Sequence, residues 1–299
     1  MNADRDLKRH ALLTIAVIFA CWNVTRMVGA QSPAEAEGAA PSPVDPAAEL
    51  RAGKNYIATE VYSEEDDRRV IELFQGLRVA DVADGMDKAG LQNVGLVSPE
   101  IKPLWRDTKQ FKHRIVGVAV TARYVPANLP PIGRMDDAEF TKAAGQWYTR
   151  HSPEPFAALL RPGSVLVIED AEGVDVGTIG SNNILGWTAR GCVGVVTGGT
   201  ARDTDEIIAQ GVPLYFKQPG RGIRPGRNQL ESVNRPVVVG GATVMPGDAI
   251  VADGDGVIVV PRRVAEEVAN YARGVLEGDK AGRRKHYERL GLPLDDSVR

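Results

Sequence analysis

Hydrophobic positions first fall into a helical period just after Ser63. Val70, Ile71, Leu73 and Phe74 share one side of a helix, and Ser63 followed by Glu64, Glu65 and Asp66 supplies an N-cap with an acidic first turn. A second helix is predicted from Val79, with Val82, Met86 and Ala89 inward and Gly90 as its stop. The pattern then turns to strands. Ile115–Tyr124 (IVGVAVTARY) is the first, and Ser164–Glu169 (SVLVIE) follows the turn Arg161-Pro162-Gly163. A helix at Ile184–Arg190 leads into a short β-branched strand, Val193–Thr197; a helix at Thr204–Gln210 then precedes a strand at Pro213–Phe216. Four further strands are predicted at Pro236–Val239, Thr243–Val244, Ala249–Ala252 and Val257–Val260. The glycine turns Gly240-Gly241, Pro246-Gly247-Asp248 and Asp253-Gly254-Asp255-Gly256 separate them. Val264–Leu276 is an amphipathic helix. Leu129–Phe156, with Pro130, Pro131, Trp147, Tyr148, His151, Pro153 and Pro155, fits no regular element. An aromatic insertion of this length is either a lid over a site or an ornament at a subunit contact.

Parallel α/β units followed by a hairpin-rich module predict an α/β fold, a single layered domain over residues 63–277. The charged stretch 278–299 is expected to be a peripheral tail. Residues 31–62 form a linker whose Ala, Pro, Ser and Glu offer little to bury, so it is expected to be disordered. Residues 1–30 read as a signal peptide: Arg5, Lys8 and Arg9 precede an apolar run, Ala11–Trp22, and Val28-Gly29-Ala30 supplies a cleavage site. The expected location is therefore outside the cytoplasm, periplasmic or secreted, with no stable membrane span after cleavage. An uncleaved anchor at residues 11–22 is the alternative, although this run is shorter than the roughly 20 residues that span a bilayer. A lipid-modified Cys21, poorly served by Phe19, and a misassigned start are the remaining readings.

The 299 residues are 43% hydrophobic and 25% charged, an ordinary globular composition, and the net charge of -3 gives no support for a nucleic-acid partner. The two cysteines, Cys21 and Cys192, form no CxxC pair, and Cys192 is expected to be a small buried hydrophobe. No GxxxxGK[ST], HExxH or GxSxG motif is present, and Gly177-Thr-Ile-Gly180 is too short for a dinucleotide fingerprint. Of the four histidines, His10 lies in the leader and His286 in the tail. His113 and His151 have no partner by spacing, which disfavours a histidine-based triad.

The chemistry concentrates in Gly180–Glu206. Gly180-Ser181-Asn182-Asn183 opens a predicted helix, and the unpaired amides of a helix start suit a carboxylate. Arg202 follows a buried strand and two glycines, and its planar fork can grip a carboxylate or a keto oxygen. Asp203 offers a hard oxygen ligand to Mg²⁺ or Mn²⁺, and Glu206, one turn on, is placed to orient the ion's waters. The same spacing equally fits a plain N-cap at Ser181, a surface Arg202–Asp203 pair, and Asp205 and Glu206 as first-turn acids favoured by the helix dipole.

Gly180-Ser-Asn-Asn, followed by G-C-V-G-V-V-T-G-G-T-A-R-D-x-x-E, resembles the RraA-like family, which includes the class II 4-hydroxy-4-methyl-2-oxoglutarate/4-carboxy-4-hydroxy-2-oxoadipate aldolases. Val237–Pro261 is similar to the family's C-terminal signature, and Ile115–Thr121 to its first core strand. The resemblance spans roughly Arg69 to Tyr271. It implies a layered β/β/α domain of the swivelling type, assembled as a homotrimer or homohexamer with sites between subunits. It implies a lyase that releases pyruvate from a 4-hydroxy-2-oxo (di)carboxylic acid by a metal-dependent retro-aldol reaction, with oxaloacetate decarboxylation through the same enolate. Arg202 then corresponds to the arginine on the pyruvate moiety, Asp203 to the metal ligand, Glu206 to the acid of the catalytic members and Gly180–Asn183 to the loop that cradles the substrate carboxylate. The chain departs at Ser181, where the aldolase pattern has an acid; Asp170, Glu172 and Asp175 are the nearby candidates to compensate. The rival expectation is a non-catalytic keto-acid-binding or regulatory relative, since some members bind and inhibit a ribonuclease.

Overall fold

A computed structural model describes residues 46–171 and 173–298. The leader at 1–30, its anchor alternative at 11–22, the first half of the linker and Glu172 lie outside the described residues. Contacts divide the chain into two units, Met1–Lys54 and Asn55–Arg299. The described part of the first contains a short helix, α1 (Pro46–Arg51), within the stretch expected to be disordered.

The second unit begins with α2 (Glu64–Phe74) and α3 (Val79–Lys88). The Ser63 hydroxyl accepts from the Asp66 amide at 3.1 Å and the Asp66 carboxylate accepts from the Ser63 amide at 3.2 Å, so each end of this capping box satisfies a donor. The main sheet is assembled from β1 (Lys102–Pro103), β2 (Ile115–Pro126), β3 (Ser164–Glu169), β4 (Cys192–Thr197), β6 (Leu214–Phe216), β8 (Asn228–Val233), β11 (Ala249–Asp253) and β12 (Gly256–Val260). Between them lie α4 (Asp137–Arg150), α5 (Ser181–Thr188), β5 (Thr200–Ala201), α6 (Thr204–Gln210), β7 (Gln218–Pro219), β9 (Val237–Val239) and β10 (Ala242–Val244), and α7 (Ala265–Leu290) follows the last strand. The strand order is β1-β6-β4-β3-β2-β11-β12, with β8 paired to the far end of β2. β2, β3, β4 and β6 run parallel; β1, β8, β11 and β12 are antiparallel to their neighbours.

Alternation along the strands sorts the core into layers. On one face, Val118 of β2 with Val251 and Ile258 packs under α2, α3 and α7, while Leu166, Ile168 and Val195 pack under α5 and α6. On the other face, Ile115, Val165, Val196, Ile250 and Val259 pack against the β9–β10 pair. The result is the β/β/α layering expected from the resemblance.

Within the second unit the structure adds to the sequence reading, most plainly in two helices. The insertion expected to be irregular contains α4. Asp136 caps it, accepting from the Glu139 amide at 2.8 Å. Only Ala144 and Trp147 are buried along it, so its apolar stripe is too thin to give a periodic signal, and the prolines on both sides hide its ends. The final helix does not stop at Leu276 but runs on to Leu290. Its last buried residue is Leu276; beyond it, Asp279 pairs with Arg78 and Arg283, and Arg284 pairs with Glu288. A solvated helix held by ion pairs carries no hydrophobic period. Among the described residues, no helix is long and apolar enough to cross a membrane.

Candidate functional site

Two strand-like segments bring the Gly180 loop and the Arg202–Asp203 corner together. β4 ends at Thr197, and Gly198-Gly199 turns the chain into β5. Ile179 bridges Ala201 in parallel, and the Arg202 amide donates to the Ile179 carbonyl at 2.8 Å. On its other side β5 pairs with β7. The Arg202 backbone is thereby held between two neighbours before its side chain begins.

Gly177 sets where that side chain can lie. A Cβ at this position would stand 2.6, 2.7 and 2.8 Å from Cβ, Cγ and Cδ of Arg202, so the arginine stem occupies the space a side chain would take. Arg202 Nε lies 3.4 Å from Asp203 Oδ1, and its terminal nitrogens make no hydrogen bond to the described residues. Both side chains are about one-third exposed (37% and 35%). A guanidinium fixed along its stem with a free fork is arranged to take a ligand carboxylate.

Asp203 is the N-cap of α6 and has a left-handed backbone, φ 57° and ψ 41°, which few residues other than Gly, Asn and Asp adopt. Its side chain does not cap its own helix. Instead Oδ2 accepts from the Ser181 amide at 3.1 Å and from the Ser181 hydroxyl at 3.3 Å. Gly180, the extended N-cap of α5, brings no side-chain cap of its own, so Asp203 caps α5 from across the site. A Cβ on Gly180 would meet Asp203 Oδ2 at 3.0 Å. The remaining first-turn amides of α5 lack intrahelical acceptors by construction.

The other sequence candidates divide. Asn182 is exposed, and Asn183 is half-buried with its Nδ2 donating to Glu154 Oε1 at 2.7 Å. Glu206 lies on α6, exposed, with no side-chain hydrogen bond or ion pair among the described residues. Of the candidate acids to compensate for Ser181, Asp170 is buried: Oδ1 accepts from the Ala171 amide at 2.8 Å and from Asn228 Nδ2 at 3.3 Å, and Oδ2 has no partner among the described residues. Burial pushes its carboxyl above the usual carboxylate range. Asp175 is occupied by Arg221, accepting from its amide and from its Nε at 2.7 Å each. Neither hydrogen-bonds to Asp203 or Ser181. Cys192 is buried as expected, and burial raises its thiol.

Among the described residues, no group of three or more His, Cys, Asp or Glu side chains could hold a metal ion. At the corner Asp203 offers one hard carboxylate, whose Oδ2 takes the Ser181 bonds and whose Oδ1 lies 3.4 Å from Arg202 Nε. One hard carboxylate fits magnesium or manganese, which retain much of their water shell, and does not fit a zinc or calcium cage.

Beside this corner, a cleft of about 580 Å³ opens over the carboxyl ends of β3, β4 and β6. Ala171, Gly199, Thr200, Lys217, Gln218 and Arg221 line it, whereas Arg202, Asp203 and the α5 turn do not. Carboxyl ends of parallel strands are where α/β sheets place their ligands. Gly177 and Glu154 are the residues here that the sequence did not mark as parts of this corner; no motif singles them out, because their partners are far away along the chain.

The comparisons with known proteins agree with this architecture. The Aldolase/RraA model of the RraA-like family matches residues 79–259. Protein DlpA of Legionella pneumophila is 30% identical over 195 residues, covering 64% of this chain and 27% of that protein. A 4-hydroxy-4-methyl-2-oxoglutarate aldolase of Thermus thermophilus is 30% identical over 102 residues, 33% of this chain and 60% of that protein. The match thus spans less than two-thirds of the length of either relative. A crystal structure of an uncharacterized Pseudomonas syringae protein superposes with a TM-score of 0.57 at 27% identity, covering 78% of this chain and 98% of that one. With the family model matching over more than half of the chain and a main sheet backed by a small β-layer and helices, the chain belongs to the RraA-like family.

Proposed function

We propose that the protein is a divalent-metal-dependent lyase that cleaves a 4-hydroxy-2-oxo (di)carboxylic acid to pyruvate and a second keto acid. The observation that carries this reading is the seat of Arg202. Its stem fills the space over Gly177, its fork is free, and the donor-lined first turn of α5 lies across from it, joined through Asp203. A cation and a set of amides joined through one aspartate suit one small anion. The aldolase named among the relatives supports the choice of reaction.

The substrate carboxylate binds the α5 amides and the Arg202 fork. Asp203 would hold the divalent cation, which when bound would supply Lewis acidity to the 2-oxo acid. A water oriented by Arg202 takes the proton from the C4 hydroxyl, since no histidine or lysine is bonded into the corner. The C3–C4 bond breaks, its electron pair passes to C3 and then to the C2 oxygen, and the Arg202 guanidinium stabilises that developing enolate oxygen. Protonation at C3 gives pyruvate. Loss of carbon dioxide from oxaloacetate produces the same enolate, so the site serves both reactions. Lys217 and Arg221 in the adjacent cleft suit the distal carboxylate of a dicarboxylic substrate. In the assembly we expect a homotrimer or homohexamer.

The test is pyruvate release from 4-hydroxy-4-methyl-2-oxoglutarate and from oxaloacetate, with Mg²⁺ and with EDTA. Arg202→Ala is expected to lower turnover by about 10²–10³, the effect of losing an oxyanion donor. Full activity in that variant, or no pyruvate from either substrate with Mg²⁺ present, defeats the proposal. Calorimetry then separates the rival reading: pyruvate binding without turnover describes a keto-acid-binding protein.

A further inference from the structure

The second half of the aromatic insertion packs against α5: Glu154 bonds it and the Phe156 ring meets Trp187 edge-on at 5.5 Å between centroids. Trp147 is buried, and its Nε1 donates to the Asn228 carbonyl at 3.0 Å. Just past the end of α4, Glu154 meets α5 from below. Its Oε1 accepts from Asn183 Nδ2 at 2.7 Å and its Oε2 from Trp187 Nε1 at 2.9 Å. The same carboxylate is gripped by Arg224, which is only 4% exposed and also donates to the Tyr124 hydroxyl at 3.0 Å and the Ser152 carbonyl at 3.1 Å.

α5 needs such a support. It has eight residues, its N-cap is a glycine without a side-chain cap, and helices this short are marginal without tertiary contacts. Ile184 and Trp187 anchor its inner face in the core, but apolar contacts do not set the direction of its first turn. Glu154 does: it holds Asn183, the third residue of the helix, and Trp187, one turn on. Two bonds on one carboxylate, itself locked by a buried arginine, define both the position and the rotation of the turn that presents the amides.

We infer that Glu154 is a positioning residue for the carboxylate-binding turn of α5, acting through Asn183 and Trp187. This rests on the proposed site, because the function assigned to the turn comes from there. It also reassigns Asn183: its amide nitrogen belongs to Glu154, so the residue serves the substrate through its backbone.

The test compares wild type with Glu154→Gln, whose amide cannot take the Arg224 bond and both α5 bonds together. Three readings are made on protein shown to be folded: KM against kcat, the Kd of pyruvate by calorimetry, and hydrogen exchange of the Ile184 amide, which bonds the Gly180 carbonyl at 3.0 Å. The expected result is a rise of about tenfold in KM and pyruvate Kd with kcat little changed, as for loss of ground-state binding, and faster exchange at Ile184 than in α7. A loss of active protein with KM and Kd unaltered, or unchanged exchange at Ile184, overturns the inference. Trp187→Phe, which keeps the ring in the core and loses only one bond, carries the same test if Glu154→Gln does not fold: a smaller rise in Kd is expected, and none overturns it. A wild-type protein that binds no pyruvate defeats the proposed function, whereas the exchange measurement still decides whether Glu154 holds the turn.

Discussion

Gly177→Ala separates a site built around Arg202 from an incidental surface pair. The glycine does not need a left-handed backbone, so alanine meets no dihedral penalty there, and the whole effect is steric. The new Cβ would stand 2.6–2.8 Å from three carbons of the Arg202 stem. Ordinary carbon–carbon contact is about 3.5–4.0 Å, so the stem must retreat by about 1 Å. The Arg202 backbone cannot follow freely, because its amide is bonded to Ile179 and its strand is paired on both sides. The displacement therefore falls on the side chain and grows toward the guanidinium. A misplacement of about 1 Å in a positioning group costs on the order of 10²-fold in rate. Overpacking costs about 1–3 kcal/mol of stability, which a domain of this size registers as a melting point several degrees lower. Gly186→Ala is the control: it lies in α5 with no atom within 4 Å of the added Cβ, and alanine in a helix interior adds about 0.5–1 kcal/mol. Pyruvate release and thermal unfolding should be followed in both variants. If Gly177→Ala retains activity within about threefold of wild type while Gly186→Ala behaves as stated, the placement of the Arg202 stem does not govern catalysis.

Four other substitutions probe the neighbouring groups. Asp203→Asn keeps a residue that tolerates the left-handed backbone but removes the charge, so turnover should fall by about 10²-fold or more with little change in unfolding; Asp203→Ala should add about 1–2 kcal/mol of instability, and equal melting of the two would contradict the strain assigned to this position. Ser181→Asp sets a second carboxylate where the Ser181 hydroxyl lies 3.3 Å from Asp203 Oδ2; without a cation it should lower the melting point, and the shift produced by added Mg²⁺ should exceed that of wild type, so equal shifts count against metal binding at Asp203. Asp170 titrates above its usual value because it is buried, so the folded state favours its protonated form. Its stabilising contribution is fully present below the unfolded value near 3.8 and is lost as pH rises through the folded value. Asp170→Asn should therefore gain stability relative to wild type as pH rises from about 4 to about 7 in urea titrations, and a pH-independent difference would refute the assignment.

The fold was legible wherever burial imposed a period. The near-continuous apolar runs of Ile115–Tyr124 and Ser164–Glu169 report strands with two packed faces, and Ser63 with Asp66 reports a capping box that exists. What stayed hidden has a physical cause each time. α4 has two buried residues in fourteen, and the last half of α7 has none, so neither writes a hydrophobic stripe. In the candidate site, Arg202 and Asp203 stood out because two charged residues after a buried strand and paired glycines are locally unusual. Glu154 and Arg224 did not, because their chemistry is made by residues 29 to 100 positions apart, as in the Asn183–Glu154 and Arg224–Tyr124 bonds. Glu206 was chosen from helical spacing, and the helix indeed forms, but spacing cannot say which way a first-turn acid faces.

One buried polar group ties the two halves of the site into a single body. Asn228 is fully buried, and its Nδ2 donates to Thr178 Oγ1 at 2.9 Å and to Asp170 Oδ1 at 3.3 Å. Thr178 stands two residues before Gly180, on the segment that leads to the first turn of α5. Asp170 backs the Gly199 turn, where a side chain would collide with it, and that turn leads into Arg202 and Asp203. The two loops are bonded directly through Ile179 and Arg202, and a second time through Asn228 beneath them. A doubly tied pair can hold a residue in a strained backbone, and Asp203 is one. Its left-handed conformation turns its carboxylate back toward Ser181 instead of along α6, which is what brings an acid, a guanidinium and a helix start to one point. A chain selected only to cap α6 would accept an ordinary N-cap geometry there. The strain, the glycine under the arginine stem and the double tie are explained together if that point is where the ligand binds.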